Sequence, residues 1–180
     1  MQKRIAIIAG LCVGLALLAT QAFSQMDKSK RPSPPAQATC DLGGGNTLTV
    51  DYSSPRAKGR KIFGGLVPYG KEWRAGANEA TTFVTTGDVK IGDKDVPAGH
   101  YTLFTIPEEH KWTLIISKKT GEWGIPYPGE KFDFARTEMT VASVPEHVED
   151  FAIAFEKSGN GCKMDMTWEN TRASVEIRAK

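Results

Sequence analysis

The chain has 180 residues, with 23 Lys and Arg against 21 Asp and Glu, 40% apolar residues and three cysteines. That length suits one domain built on one core. So even a charge balance leaves no basic stripe to neutralise a phosphate backbone, which argues against a nucleic-acid partner.

The first residues read as a leader. Lys3 and Arg4 precede an apolar run from Ile5 to Ala19, and the small residues Ala22 and Ser24 suit positions −3 and −1 of a cleavage site. The run falls short of the roughly 20 residues a membrane span needs. Residues 1–24 are therefore expected to be a cleaved signal peptide, with no transmembrane segment after cleavage and a periplasmic or extracellular destination. Cys12 lies within the apolar run behind Gly10 and Leu11, which does not suit a lipid-anchored cysteine. Without Lys3 and Arg4 the chain carries 21 basic and 21 acidic residues and is formally neutral. Cys40 and Cys162 then remain, and an even pair in an exported protein reads as a disulfide, the alternative being two separate buried thiols.

Residues 25–39, QMDKSKRPSPPAQAT, hold no aromatic side chain and are rich in Lys, Ser, Pro and Gln. Such a stretch buries too little apolar surface to offset its chain entropy, so a disordered linker is expected there, with the folded domain over 40–180. From Cys40 onward the dominant period is two. Thr47–Tyr52 alternates polar and apolar residues after a Gly43-Gly44-Gly45-Asn46 turn, and Thr81–Thr86 is β-branched and aromatic. Val89–Ile91 and Val96 flank a Gly92-Asp93-Lys94-Asp95 turn, followed by His100–Ile106 and Lys111–Ile116. Four further strands are predicted at Ala135–Val144, Val148–Glu156, Cys162–Trp168 and Ala173–Ile177, the middle two joined through Ser158-Gly159-Asn160-Gly161. Phe151, Ile153 and Phe155 share one face, as do Cys162, Met164, Met166 and Trp168, and both stripes read as core. No convincing helical stripe occurs. The pattern predicts an all-β, antiparallel β-sandwich, with a jelly-roll or barrel as the alternative.

Several chemistries are poorly supported. His100, His110 and His147 are far apart with no ligand-like neighbour at i+2 or i+4, so neither a metal nor a cofactor is expected. Gly65-Leu66-Val67-Pro68-Tyr69-Gly70-Lys71 matches the spacing of a phosphate-binding loop, but Glu72 stands where Ser or Thr would hold magnesium. No Gly-x-Ser-x-Gly elbow is present.

What remains is the segment Gly59–Thr86. It concentrates Arg60, Trp73, Arg74, Asn78 and Glu79 in a Gly-punctuated loop that runs into a strand. Two accounts fit these residue types. In one, Arg74 and Asn78 bind an anionic or hydroxyl-rich ligand while Glu79 accepts its hydrogen bonds or acts as a base. In the other, Arg60 or Arg74 pairs with Glu72 or Glu79 and pins the loop to the scaffold. A second loop, Glu122–Pro128, offers Trp123 and Tyr127 as flat faces for a sugar or aromatic ligand, the alternative being Trp123 as a plug at one end of the core.

Tyr52-Ser53-Ser54-Pro55, Gly59-Arg60-Lys61-Ile62, Gly64-Gly65-Leu66-Val67-Pro68-Tyr69-Gly70 and Trp73-Arg74-x-Gly76-Ala77-Asn78-Glu79-Ala80-Thr81 resemble a family of exported bacterial proteins, domain-of-unknown-function family 2911. The resemblance continues through Pro97-Ala98-Gly99-x-Tyr101-x-Leu103-Phe104-x-Ile106-Pro107, Trp112-Thr113 and Trp123-Gly124, and spans Leu48 to Ile177. It implies an exported β-rich domain and brings no catalytic residues with it. The functional expectations are accordingly a small-ligand or carbohydrate-binding, envelope-associated module, a hydrolase using Glu79 with Arg74, or a purely structural envelope protein.

Overall fold

Alternating burial builds the sheet. In the strand Asn46–Ser53, Leu48 and Val50 are wholly buried while Asp51 points to solvent, as period-two patterning requires of a strand with one wet face. The computed structural model describes residues 27–180, so the expected signal peptide, 1–24, lies outside the described residues. The strands are β1 (Pro35–Gly43), β2 (Asn46–Ser53), β3 (Thr82–Thr85), β4 (Val89–Ile91), β5 (Lys94–Val96), β6 (Gly99–Pro107), β7 (Lys111–Ser117), β8 (Asp133–Ser158) and β9 (Gly161–Ala179). They form one nine-stranded sheet in the order β1-β2-β3-β6-β7-β8-β9-β4-β5, and every pairing is antiparallel. Among the described residues the helical elements are two single 3-10 turns, Lys28–Lys30 and Glu130–Phe132. The all-β expectation holds.

Two differences from the expected strands are instructive. The four strands expected after residue 134 are two long ones, β8 and β9, each bent rather than broken. Their ladder slips between Ser143 and Val148 and again between Val148 and Ala152, and Glu169 on β9 adopts a positive φ of 50°. Such irregularities turn a strand without ending it, because the extra residues increase local twist. A turn-like composition at the bend therefore reads, in one dimension, like a loop.

The second difference concerns residues 25–39. The described part of the expected disordered linker is ordered. Pro35–Thr39 form the start of β1, paired residue for residue with β2, and Ala38 and Cys40 are buried in the core. Local composition failed here because the segment does not supply its own core. It completes backbone hydrogen bonds on the edge of β2 and lays the small side chain of Ala38 into apolar surface made by the rest of the chain.

The sheet curls so that its first strands lie over the far halves of β8 and β9. Three contacts hold that closure. Cys40 on β1 and Cys162 on β9 form the expected disulfide across 122 residues of sequence. Ile153 N–H donates to the Tyr52 hydroxyl at 3.0 Å, and the Ser54 hydroxyl donates to the Phe151 carbonyl at 2.7 Å. The enclosed core joins Leu48, Val50, Phe83, Leu103, Leu114, Ile116, Met139, Met164 and Met166 to an aromatic group contributed by Phe63, Trp73, Trp112, Phe151 and Trp168.

The disulfide restricts so long a loop that the chain-entropy argument assigns it about 4–5 kcal/mol. Reduction, or Cys40→Ala with Cys162→Ala, should therefore lower the urea midpoint markedly. A midpoint that stays put under reducing conditions would show that hydrogen bonding and packing alone close the sheet.

Candidate functional site

The connection from β2 to β3, residues 54–81, is held at three depths. At its base, Trp73 exchanges both backbone hydrogen bonds with Thr105 of β6, each 2.8 Å. Its indole stacks on Trp168 of β9, with centroids 5.9 Å apart and planes 20° apart, and meets Phe151 edge-on at 4.9 Å. The indole N–H donates to the Gly76 carbonyl at 3.1 Å, so the ring's polar handle is satisfied inside the loop. Above this base, Arg60 folds back on the chain: its Nε donates to the Ala57 carbonyl and its Nη2 to the Arg56 carbonyl.

Arg74 leaves the loop toward the second candidate segment. Its Nη1 donates to the Trp123 carbonyl at 3.3 Å, and its guanidinium carbon lies 5.8 Å from the centre of the Trp123 ring. Gly124 makes this approach possible. It has φ 84°, and a Cβ there would stand 2.9 Å from the Ala80 Cβ and 3.0 Å from the Arg74 Cβ, distances real side chains do not tolerate. Burial pushes the Arg74 pKa down from its ordinary value, because desolvation disfavours the cation. Among the described residues neither Arg60 nor Arg74 has a carboxylate within ion-pair distance. The internal pairing of these arginines with Glu72 or Glu79 does not occur.

Glu79 is taken by other cations. Arg31 Nη1 donates to both of its carboxylate oxygens, at 2.8 and 3.0 Å, and the Lys28 ammonium stands 3.1 Å away. Its own backbone N–H, then the Arg31 guanidinium, and more weakly Lys28, hold its carboxyl down at about 2. A carboxylate that ionised is a feeble proton acceptor at neutral pH, which weighs against a role as general base.

The residues around Arg31 form a strap across the loop. The Asn78 side-chain amide donates to the Ser33 carbonyl at 2.9 Å, Arg56 Nη1 to the Pro32 carbonyl at 3.0 Å, and Ser54 N–H to the Pro34 carbonyl at 2.9 Å. With Arg31, four consecutive residues are each anchored to a partner in the loop 54–81. Asn78 serves its bond from a positive φ of 55°, a conformation Asn tolerates better than most residues.

These layers leave a cleft of about 320 Å³. Trp73 and Trp168 line its floor, Arg60 and Arg74 its sides, Ser33 of the strap one wall, and Leu66 and Ile125 its rim. No Asp or Glu lines it. Leu66 and Ile125 are 49% and 67% exposed, and neighbouring Trp123 is 54% exposed, so the mouth is an apolar rim open to solvent.

The expected site residues thus separate into three groups. Arg60, Trp73 and Arg74 meet in one cleft with Trp123 beside it. Asn78 and Glu79 face the strap. Tyr127 belongs elsewhere: its ring packs edge-on against Phe104, and its hydroxyl donates to Asp133 Oδ1 and accepts from Arg136 Nη2. Burial, followed by the hydrogen bond to Asp133, pushes that phenol up to about 12. Sequence reasoning missed Lys28, Arg31 and Ser33 because they fall in the supposed linker, and Leu66, Ile125 and Trp168 because only folding brings them together. The one available signal was Pro32-Ser33-Pro34-Pro35, a run whose residues are biased to extended backbone.

The family described as Protein of unknown function (DUF2911) matches residues 33–177. That span begins inside the strap. No curated protein and no solved structure matches the chain.

The Glu79 pair makes a pH-dependent contribution with a definite sign. Its folded-state carboxyl titrates near 2, below its ordinary 4.5, so the stabilisation is fully present above about 4.5 and is lost as the pH falls toward 2. Because the side chain is 40% exposed, solvent screening should limit the contribution to about 1 kcal/mol. Glu79→Gln should therefore unfold at lower urea than the unsubstituted protein at pH 7. The gap should close as both are titrated toward pH 2, and a gap independent of pH would remove the ion pair as its source.

Proposed function

Because this chain belongs to the DUF2911 family, whose description names no activity, we propose its function from the cleft: it is an exported module that binds a small ligand between Arg60, Trp73 and Arg74. The observation that carries this reading is the pair of arginines bordering an apolar, aromatic-floored cleft without a carboxylate partner among the described residues. A half-buried guanidinium left unpaired costs desolvation energy in the free protein, and a ligand that supplies acceptors recovers it. The cleft volume lies at the lower end of the range for small-molecule sites, which fits a compact ligand.

Export is supported by the Lys3-Arg4 leader pattern and by the Cys40–Cys162 disulfide, which persists in oxidising compartments. Among the described residues no helix is long and apolar enough to cross a membrane. The hydrolase reading is weaker, because Glu79 is ionised, paired with Arg31 and Lys28, and separated in role from Arg74.

A thermal-shift screen of the disulfide-bonded protein against small acids, sugars and peptidoglycan fragments tests the proposal. A ligand at a hundred times its Kd should stabilise by about 2.7 kcal/mol, a rise of several degrees in Tm. Hits should perturb the Trp73 indole N–H and the Arg60 and Arg74 Nε–H signals in nitrogen-15 NMR spectra. A screen without hits, or hits that shift only signals far from these residues, would overturn it.

A further inference from the structure

Resting on that reading of the cleft, we infer that its ligand class is amphiphilic organic acids: one carboxylate held by Arg60 and Arg74, carried on a small apolar or aromatic body that lies over Trp73 between Leu66 and Ile125. Three features separate this class from the alternatives.

The first is charge. Two guanidinium groups border the cleft and no acidic side chain lines it, so its local charge is positive in a mature chain that is otherwise balanced. The other cavities differ. The 450 Å³ depression bordered by Asp93, Lys94, Arg136 and Glu138 contains charges that already pair off, Lys94 with Asp93 at 2.7 Å and Arg136 with nearby Asp133 at 2.6 Å. The 200 Å³ hollow beside Lys28, Arg31 and Glu79 is likewise internally neutralised. Only the Arg60–Arg74 cleft, among these, presents cations without anions.

The second is the donor inventory. A guanidinium carries five N–H donors in a planar fork. Arg74 uses one at 3.3 Å on the Trp123 carbonyl, and Arg60 uses one on Nε and one on Nη2 for carbonyls of its own turn, which leaves both Nη1 donors and the second on Nη2. The unused donors suit a planar, two-oxygen acceptor, for which the Arg fork is the matched partner. A neutral sugar would meet donors in excess and no lining carboxylate to accept from its hydroxyls.

The third is the apolar remainder. Leu66, Val67, Ile125 and the two indoles line the same cleft, and Trp73's only polar group is already bonded to Gly76. Inorganic anions would gain the charge but leave this surface wet. An acid with a ring or short alkyl chain satisfies both halves of the site at once, because burying the body releases water from the apolar floor.

Calorimetric titration of the full disulfide-bonded protein with matched probes tests the inference. The acids are octanoate and indole-3-acetate, their neutral counterparts are octanamide and indole-3-acetamide, and acetate, inorganic phosphate and maltotriose complete the set. The acids should bind at least about tenfold more tightly than their amides, with acetate, phosphate and maltotriose weaker still. Arg74→Ala and Arg60→Ala should each erase most of the acid–amide difference. Arg74→Lys, which keeps the charge without the fork, should fall between and guards against a simple folding defect. Equal binding of acid and amide at a site that perturbs Trp73 would overturn the anion assignment and leave the ligand-binding cleft standing. Tight maltotriose binding there would replace the class with carbohydrate. Acid binding undiminished in the Arg60→Ala/Arg74→Ala double variant would place the acids elsewhere, and silence of Trp73 toward every probe would remove the cleft reading as well.

Discussion

The stack of Trp73 on Trp168 is the contact on which the arrangement of this protein turns. Trp73 sits in a long connection with little regular structure, whereas Trp168 sits near the bend of the longest hairpin. Their parallel contact, buttressed edge-on by Phe63 and Phe151, replaces the regular pairing that the connection lacks. Aromatic pairs of this kind are worth about 0.5–1.5 kcal/mol each beyond the area they bury, so the cluster outweighs any single polar tie in the loop. It also explains why the loop can afford positive φ at Ala75 and Asn78, conformations that cost energy unless their surroundings hold them.

The same stack sets where a cleft can form. A loop pinned at Trp73 by β6 behind and β9 below must rise from the sheet on either side of that residue. Arg60 lies on one rise and Arg74 on the other, and the space between them is floored by the indoles. The strap 31–34 then closes one side, using three carbonyls and one guanidinium. Each such hydrogen bond contributes only about 0.5–1.5 kcal/mol net, so the strap is held by a sum of small polar ties, whereas the floor is held by buried aromatic packing. The cleft is thus built on aromatic packing, and its boundary on polar contacts to a short extended segment.

Much of this was legible in one dimension. Period-two alternation located β2, β-branched and aromatic composition located β3, and the Met and aromatic stripes of β8 and β9 announced core faces; β6 and β7 are instead buried on both faces over Tyr101–Thr105 and Leu114–Ser117, so their patterns do not alternate. The even cysteine pair anticipated the disulfide. The candidate site was half legible. Arg60, Trp73 and Arg74 stood out as chemistry-bearing residues in a Gly-rich loop, but the partner of Glu79 did not, since Arg31 lies 48 residues away in a stretch whose composition resembles disordered chain. Composition measures how much apolar surface a segment brings to its own folding. It cannot register hydrogen bonds offered by the edge of a sheet assembled elsewhere, and for that reason both β1 and the strap were hidden. Tyr127 was misplaced for a related reason: an aromatic in a Pro-rich loop looks exposed until Phe104 and Asp133 are seen beneath it.

The strap also bears on the charge of the cleft. Arg74 and Glu79 are five residues apart in a loop that bends sharply between them, and a direct pair would have been the simplest use of both. Such a pair would have cancelled the cation at the cleft and consumed the fork. Instead both oxygens of Glu79 accept from Arg31 Nη1, with the Lys28 ammonium also in contact. An acid held by two other cations has little left to offer a third, because each added cation must share the same two oxygens. The segment that looks like a tether therefore does electrostatic work as well as mechanical: by occupying the nearby carboxylate it leaves Arg74 beside Trp123 and above an apolar floor, a partly buried cation with no carboxylate partner among the described residues.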